Sequence, residues 1–84
     1  MPLQLSIVTP ERAVLELEVE SVVVPGAEGE FGVLPDHESL LAPVAEGLVR
    51  YTGSGGSGEV SVTDGFAEVT GGRVTLLVGS ADSA

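Results

Sequence analysis

His37 is the only histidine of the chain and stands between Asp36 and Glu38, a trio with the donor types for a metal ion or for acid/base work. On an extended segment the middle side chain points away from its neighbours, so the three cannot converge on one atom. A Ser-His-Asp triad would also need a nucleophile elbow, and no G-x-S-x-G run occurs. His37 therefore reads as a turn or interface residue. Gly53-Ser54-Gly55-Gly56-Ser57-Gly58 matches G-x-G-x-x-G in form, but that fingerprint holds a pyrophosphate at a helix N-terminus, and the residues that follow, Glu59 to Thr63, alternate like a strand. Residues 52–58 read instead as a flexible Gly/Ser hairpin loop. The 13 acidic residues supply carboxylate pairs, yet a chain this short cannot wall the cleft that a glycosidase needs. The sequence thus offers no catalytic residue, no cofactor site and no metal site.

Composition removes other chemistries. The chain has no cysteine, and its three cationic residues are Arg12, Arg50 and Arg73. Disulfide frameworks, thiolate zinc sites and cysteine nucleophiles are excluded, as are a P-loop lysine, a Schiff-base lysine and a lipoyl- or biotinyl-lysine. A formal charge of -10 repels nucleic acid and anionic lipid, so the natural complement is a basic protein surface. The 84 residues make one domain. A hydrophobic fraction of 43% with a mean hydropathy of +0.38 implies a real core, although a domain of this size buries only about 60% of its unfolded surface. Stability is expected to be small, or shared with a partner.

The elements that would position any site are strands. Leu3, Leu5 and Ile7 alternate with Gln4 and Ser6, and Leu15, Leu17 and Val19 alternate with Glu16, Glu18 and Glu20. On a helix those glutamates would scatter around the cylinder, whereas on a strand they form one charged face. Val22-Val23-Val24 breaks the alternation and predicts either a strand covered on both faces or a bulge near Ser21. Further strands are expected over 48–51, 60–62, 66–69 and 74–78, with Asp64-Gly65 and Gly71-Gly72 as hairpin turns. No convincing helix is found: Asp36 to Ala42 is the only candidate, and Pro35 and Pro43 bracket it so closely that at most two turns could form. Residues 79–84 read as a frayed end. Seven or more short strands predict an all-β sandwich or barrel.

Pro25 to His37 carries more than a turn requires: glycines, two prolines, Glu28, Glu30 and an aromatic, Phe31. Flexible backbone that presents Phe31 and Leu34 as apolar anchors beside two carboxylates has the composition of a docking loop.

The run Glu28-Gly29-Glu30-Phe31-Gly32-Val33-Leu34-Pro35-Asp36-His37, followed by Leu40-Leu41, Asp64-Gly65-Phe66-Ala67-Glu68-Val69 and Val74-Thr75-Leu76-Leu77-Val78, resembles the N-terminal domain of the epsilon subunit of bacterial F-type ATP synthases. Leu5 to Arg12 fits as well, so the resemblance covers nearly the whole chain. It implies a single domain over 1–84, a flattened β-sandwich or barrel of about ten short strands, seated at the foot of the rotor stalk. It implies a non-catalytic subunit that binds the gamma subunit and the polar loops of the c-ring, on the cytoplasmic side of the bacterial plasma membrane and attached to it only through the complex. No nucleic acid partner and no obligate homo-oligomer are expected. Carried over by position, Glu28, Glu30, Phe31 and Leu34 match the c-ring-facing loop, and His37, Leu40 and Leu41 match the region near gamma. The c-ring loops of the family are basic, which suits the acidic hairpin. Long members continue into a C-terminal helical hairpin that inhibits hydrolysis; the chain stops at Ala84, and that regulation is not expected of it. The alternative is a free-standing β-sandwich module that binds a peptide or ligand.

Overall fold

The structure is a computed structural model that describes residues 2–36 and 38–83. Its elements are ten strands, β1 (Leu3–Val8), β2 (Ala13–Val19), β3 (Ser21–Gly26), β4 (Gly29–Val33), β5 (Leu40–Val44), β6 (Gly47–Gly53), β7 (Gly56–Val62), β8 (Gly65–Thr70), β9 (Arg73–Val78) and β10 (Ala81–Ser83). No helix forms among the described residues. One layer is ordered β5-β8-β9-β1-β2 and the other β4-β3-β6-β7-β10. All neighbours are antiparallel except β1 and β9, which run parallel.

Period-two alternation builds the core between the layers. Leu3, Leu5 and Ile7 from β1, Val74, Leu76 and Val78 from β9, and Val22, Val24, Val49, Val60 and Val62 from the opposite layer are all buried. Val19 of β2 is buried and so is Val22 of β3, an odd and an even position. The alternation of β2 changes phase there because the chain leaves one layer and enters the other through Glu20 and Ser21. Glu20 N–H donates to the Thr52 carbonyl at 2.6 Å, and the Ser21 and Thr52 hydroxyls lie 2.7 Å apart. The register irregularity of the first hairpin falls instead between Ile7 and Val8.

Several local expectations need correction. Leu40 to Ala42, the end of the one helical candidate considered above, lies in β5, where Leu40 pairs with Val69 and Pro43 with Phe66. The Gly/Ser stretch 52–58 is not an open loop: β6 and β7 stay in register out to Gly53 and Gly56, leaving Ser54-Gly55 as the turn. Gly56 sits at φ 127, a conformation that favours glycine. Tyr51 lies over Gly58, since a Cβ there would come within 2.6 Å of Cζ of the ring; an aromatic over a strand glycine replaces the packing that the glycine lacks. The end expected to fray is paired, with Ala81 buried and opposite Val62 of β7. Gly71-Gly72 is the β8–β9 turn, at φ 54 and 79.

Asp64-Gly65 is not a hairpin turn, because β7 and β8 belong to different layers and these residues carry the chain across. Gly65 is needed for space: a Cβ would run into the Leu77 carbonyl oxygen and come within 2.7 Å of Val78 Cα. Gly65→Ala is expected to destabilise by about 1–3 kcal/mol, the usual cost of overpacking, measurable as a lower urea midpoint at unchanged slope.

Candidate docking interface

The β3–β4 hairpin carries the acidic residues singled out in the sequence. Gly26 pairs with Gly29, so Ala27 and Glu28 form the turn, with Glu28 exposed at its tip. Gly26 is confined by Phe31: a Cβ would lie 3.0 Å from two ring carbons and 2.6 Å from the Gly29 carbonyl oxygen. Phe31 pairs with Val24 on the inward side of its layer and packs half-buried against the core. It braces the hairpin from within and is not the exposed anchor expected above. Glu30 faces outward, and both its carboxylate oxygens lie 3.2 Å from Nη2 of Arg50. With the two side chains 54% and 46% exposed, that pair is worth about 0.2–1 kcal/mol after solvent screening.

Leu34 is 59% exposed, but it follows β4 at the end remote from Glu28. Six residues of strand place the two about 20 Å apart. The four residues assigned to one loop are therefore spread along the whole of β4. Of the residues assigned near gamma, Leu40 packs against the core, Leu41 is 71% exposed, and His37 lies outside the described residues.

A second surface escaped the sequence analysis. Pro43 pairs with Phe66, Phe66 with Leu77, Leu77 with Val8 and Val8 with Ala13. Directly opposed residues share a face, so five apolar side chains line up across β5, β8, β9, β1 and β2 on the outside of one layer. At about 4.8 Å per strand the row is about 19 Å long. Phe66 and Leu77 are 55% and 53% exposed, and Leu41 lies two residues before Pro43 on the same side of β5. Beyond Leu41 the neighbouring row on that layer reads Glu68, Thr75, Ser6 and Glu16, which borders the rest of the apolar row with polar groups. A contiguous apolar strip with a polar margin marks a contact surface. Its signal in the sequence was the doublets Ile7-Val8, Leu40-Leu41 and Leu76-Leu77: on a strand only one member of each can face the core, and the other is left outside.

The two surfaces meet. Gly26 of β3 pairs with Val44 of β5, Ala27 N–H donates to the Pro43 carbonyl at 3.0 Å, and Ala45 N–H donates to the Pro25 carbonyl at 2.7 Å. The tip of the acidic hairpin is thereby fastened to the strand that begins the apolar row. Among the described residues no three histidine, aspartate or glutamate side chains gather where they could hold a metal ion.

The sequence pattern described as "ATP synthase, Delta/Epsilon chain, beta-sandwich domain" matches residues 2–84. The chain belongs to this family. Relatives agree with that assignment. The ATP synthase epsilon chain of Nitratidesulfovibrio vulgaris strain DP4 is 48% identical over 82 residues, which are 98% of this chain and 61% of the relative. That of Carboxydothermus hydrogenoformans is 41% identical over 80 residues, 95% of this chain and 60% of the relative. This epsilon-family sandwich thus spans about three fifths of the length of the curated relatives it matches. Among solved structures, a chain in the OSCP/F1/c-ring structure of Euglena gracilis mitochondrial ATP synthase superposes with a TM-score of 0.90 at 26% identity, over 98% of this chain and 53% of that one. A chain in the central stalk/c-ring structure of the Tetrahymena thermophila mitochondrial enzyme superposes with a TM-score of 0.79 at 14% identity, over 96% of this chain and 66% of that one, a likeness of fold. The β-sandwich of the delta/epsilon family is therefore the fold of this chain.

Proposed function

We propose that this chain is a non-catalytic rotor component of an F-type ATP synthase, in which the sandwich joins the gamma subunit to the c-ring and so helps couple proton flow to ATP synthesis. The observation that carries it is the pair of chemically distinct, adjoining surfaces on a chain that belongs to the delta/epsilon family. The row Pro43, Phe66, Leu77, Val8 and Ala13, with Leu41 beside it, is the gamma side: an apolar strip suits a permanent contact between subunits, in which hydrophobic burial supplies the affinity. The length of β4, with Glu28 at the tip, Glu30 along it and Leu34 beyond it, is the c-ring side. Its acidic groups complement basic polar loops and set orientation more than affinity, while Phe31 stiffens the hairpin from inside. Such a component sits on the cytoplasmic side of a bacterial plasma membrane and is held there by the complex.

The test is the variant Glu28→Lys with Leu34→Asp in the assembled enzyme. Both side chains are exposed, so the fold is kept. Association of the stalk with the ring is expected to weaken about tenfold, the effect of losing roughly 1.4 kcal/mol of interface energy. ATP hydrolysis should continue while ATP-driven proton pumping falls. Pumping that stays fully coupled to hydrolysis would remove β4 from the contact with the ring.

A further inference from the structure

Glu30 does not meet a partner as a bare carboxylate. Arg50, on the outward face of β6, reaches across β3 to hold it, with Nη2 3.2 Å from both carboxylate oxygens. The pair spans an intervening strand: Glu30 stands opposite Pro25 and Arg50 opposite Val23 on the two edges of β3. On its other side Arg50 is directly opposite Glu59 of β7. Arg50 therefore has a carboxylate in hand and a second at cross-strand distance, about 5 Å between Cβ atoms. Both members of the pair are about half exposed, so a cation from outside can reach Glu30 and the guanidinium is free to swing.

We propose that Arg50 is a built-in counter-ion that sets the threshold for docking at Glu30: a cationic group of the partner must displace Arg50, which then turns to Glu59. The inference rests on the role proposed above for β4. In a chain of formal charge -10, uncovered carboxylates attract any diffuse cation, and a carboxylate that already holds a guanidinium is occupied less by all of them, so weak competitors fall below effective binding. A partner loop that offers a positioned guanidinium or ammonium replaces the pair, while a stray lysine or a metal cation at low concentration does not. Glu59 keeps the displaced Arg50 from being stranded, so exchange is cheap for the right ligand. The resulting device is a threshold filter: it lowers the affinity of every competing cation by the same factor of about two to five, so only a partner with other contacts to spare docks there.

The experiment titrates the full chain, assembled with gamma, onto purified c-ring of the same organism in detergent. Arg50→Gln is expected to tighten binding about two- to fivefold, the release of one solvent-exposed ion pair, and to steepen the dependence on salt. Arg50→Lys, which keeps the charge, should stay near the wild-type affinity. In a Glu30→Gln background the gain from Arg50→Gln should vanish. Unchanged or weaker binding by Arg50→Gln overturns the inference, as does a gain that persists without the Glu30 carboxylate. If the wild-type stalk binds the ring, those results leave the docking role of β4 intact; if it does not bind at all, that role fails and the filter with it.

Discussion

Phe66→Glu is expected to weaken binding of the gamma subunit at least about 30-fold while leaving the isolated chain folded. Phe66 is 55% exposed, second in the five-residue apolar row and flanked by Pro43 and Leu77. Central aromatic residues that become desolvated on association commonly contribute 2 kcal/mol or more, which corresponds to about that factor. A glutamate there adds the cost of placing a charge in an apolar contact with no counter-ion. In the free chain the same carboxylate faces water, so stability should move by no more than about 0.5 kcal/mol. Calorimetric titration against gamma, beside thermal melts of the two free chains, separates the effects. Phe66→Leu, still apolar, should keep most of the affinity. If Phe66→Glu bound gamma as the wild type does, the row would not be the gamma face.

Leu5→Ala, by contrast, should act on the fold. Leu5 is 0% exposed, between Leu17 of β2 and Val74 of β9. Truncating a fully buried leucine costs about 2–5 kcal/mol through lost transfer energy and the cavity left behind. A chain of 84 residues has about 4–13 kcal/mol in all. The midpoint of thermal unfolding is expected to fall by at least about 10 °C. Saturating gamma should restore part of that loss, since a ligand that binds only the folded chain stabilises it by mass action. A melting temperature within a few degrees of wild type would place Leu5 outside the core.

The strands of the sandwich were legible wherever hydrophobicity alternated cleanly, as in Leu3-Gln4-Leu5-Ser6-Ile7 or Val60-Ser61-Val62. β4, β5 and β10 were not, for separate physical reasons. Gly29 to Val33 is glycine-rich and sits on an edge, where pairing with β3 alone holds it extended. Leu40 to Val44 contains Pro43, which argues against a strand, yet Pro43 is tolerated between β3 and β8 because contact with β3 is confined to Gly26 and the turn bonds beside it. Ala81 to Ser83 has no pattern of its own and is ordered by β7. The resemblance drawn from Glu28 to His37 located the acidic hairpin, but the sequence could not tell that Phe31 turns inward or that Glu30 is already paired. The first depends on the hairpin register that sets Phe31 opposite Val24, the second on Arg50, distant in the chain and two strands away. The apolar row was hidden for the same reason, since its members come from five strands and become a line only once the register is set.

The bonds from Ala27 to Pro43 and from Ala45 to Pro25 would have a mechanical meaning in the rotor role proposed above. A tangential pull applied at the tip of β3–β4 is passed straight into β5, whose other edge is laced to β8 along its full length. Backbone hydrogen bonds loaded together along a strand resist far more than bonds opened singly like a zipper. On the proposed rotor role, torque entering at the hairpin would leave through β5 and β8 without bending the hairpin, by a route of only a handful of peptide groups.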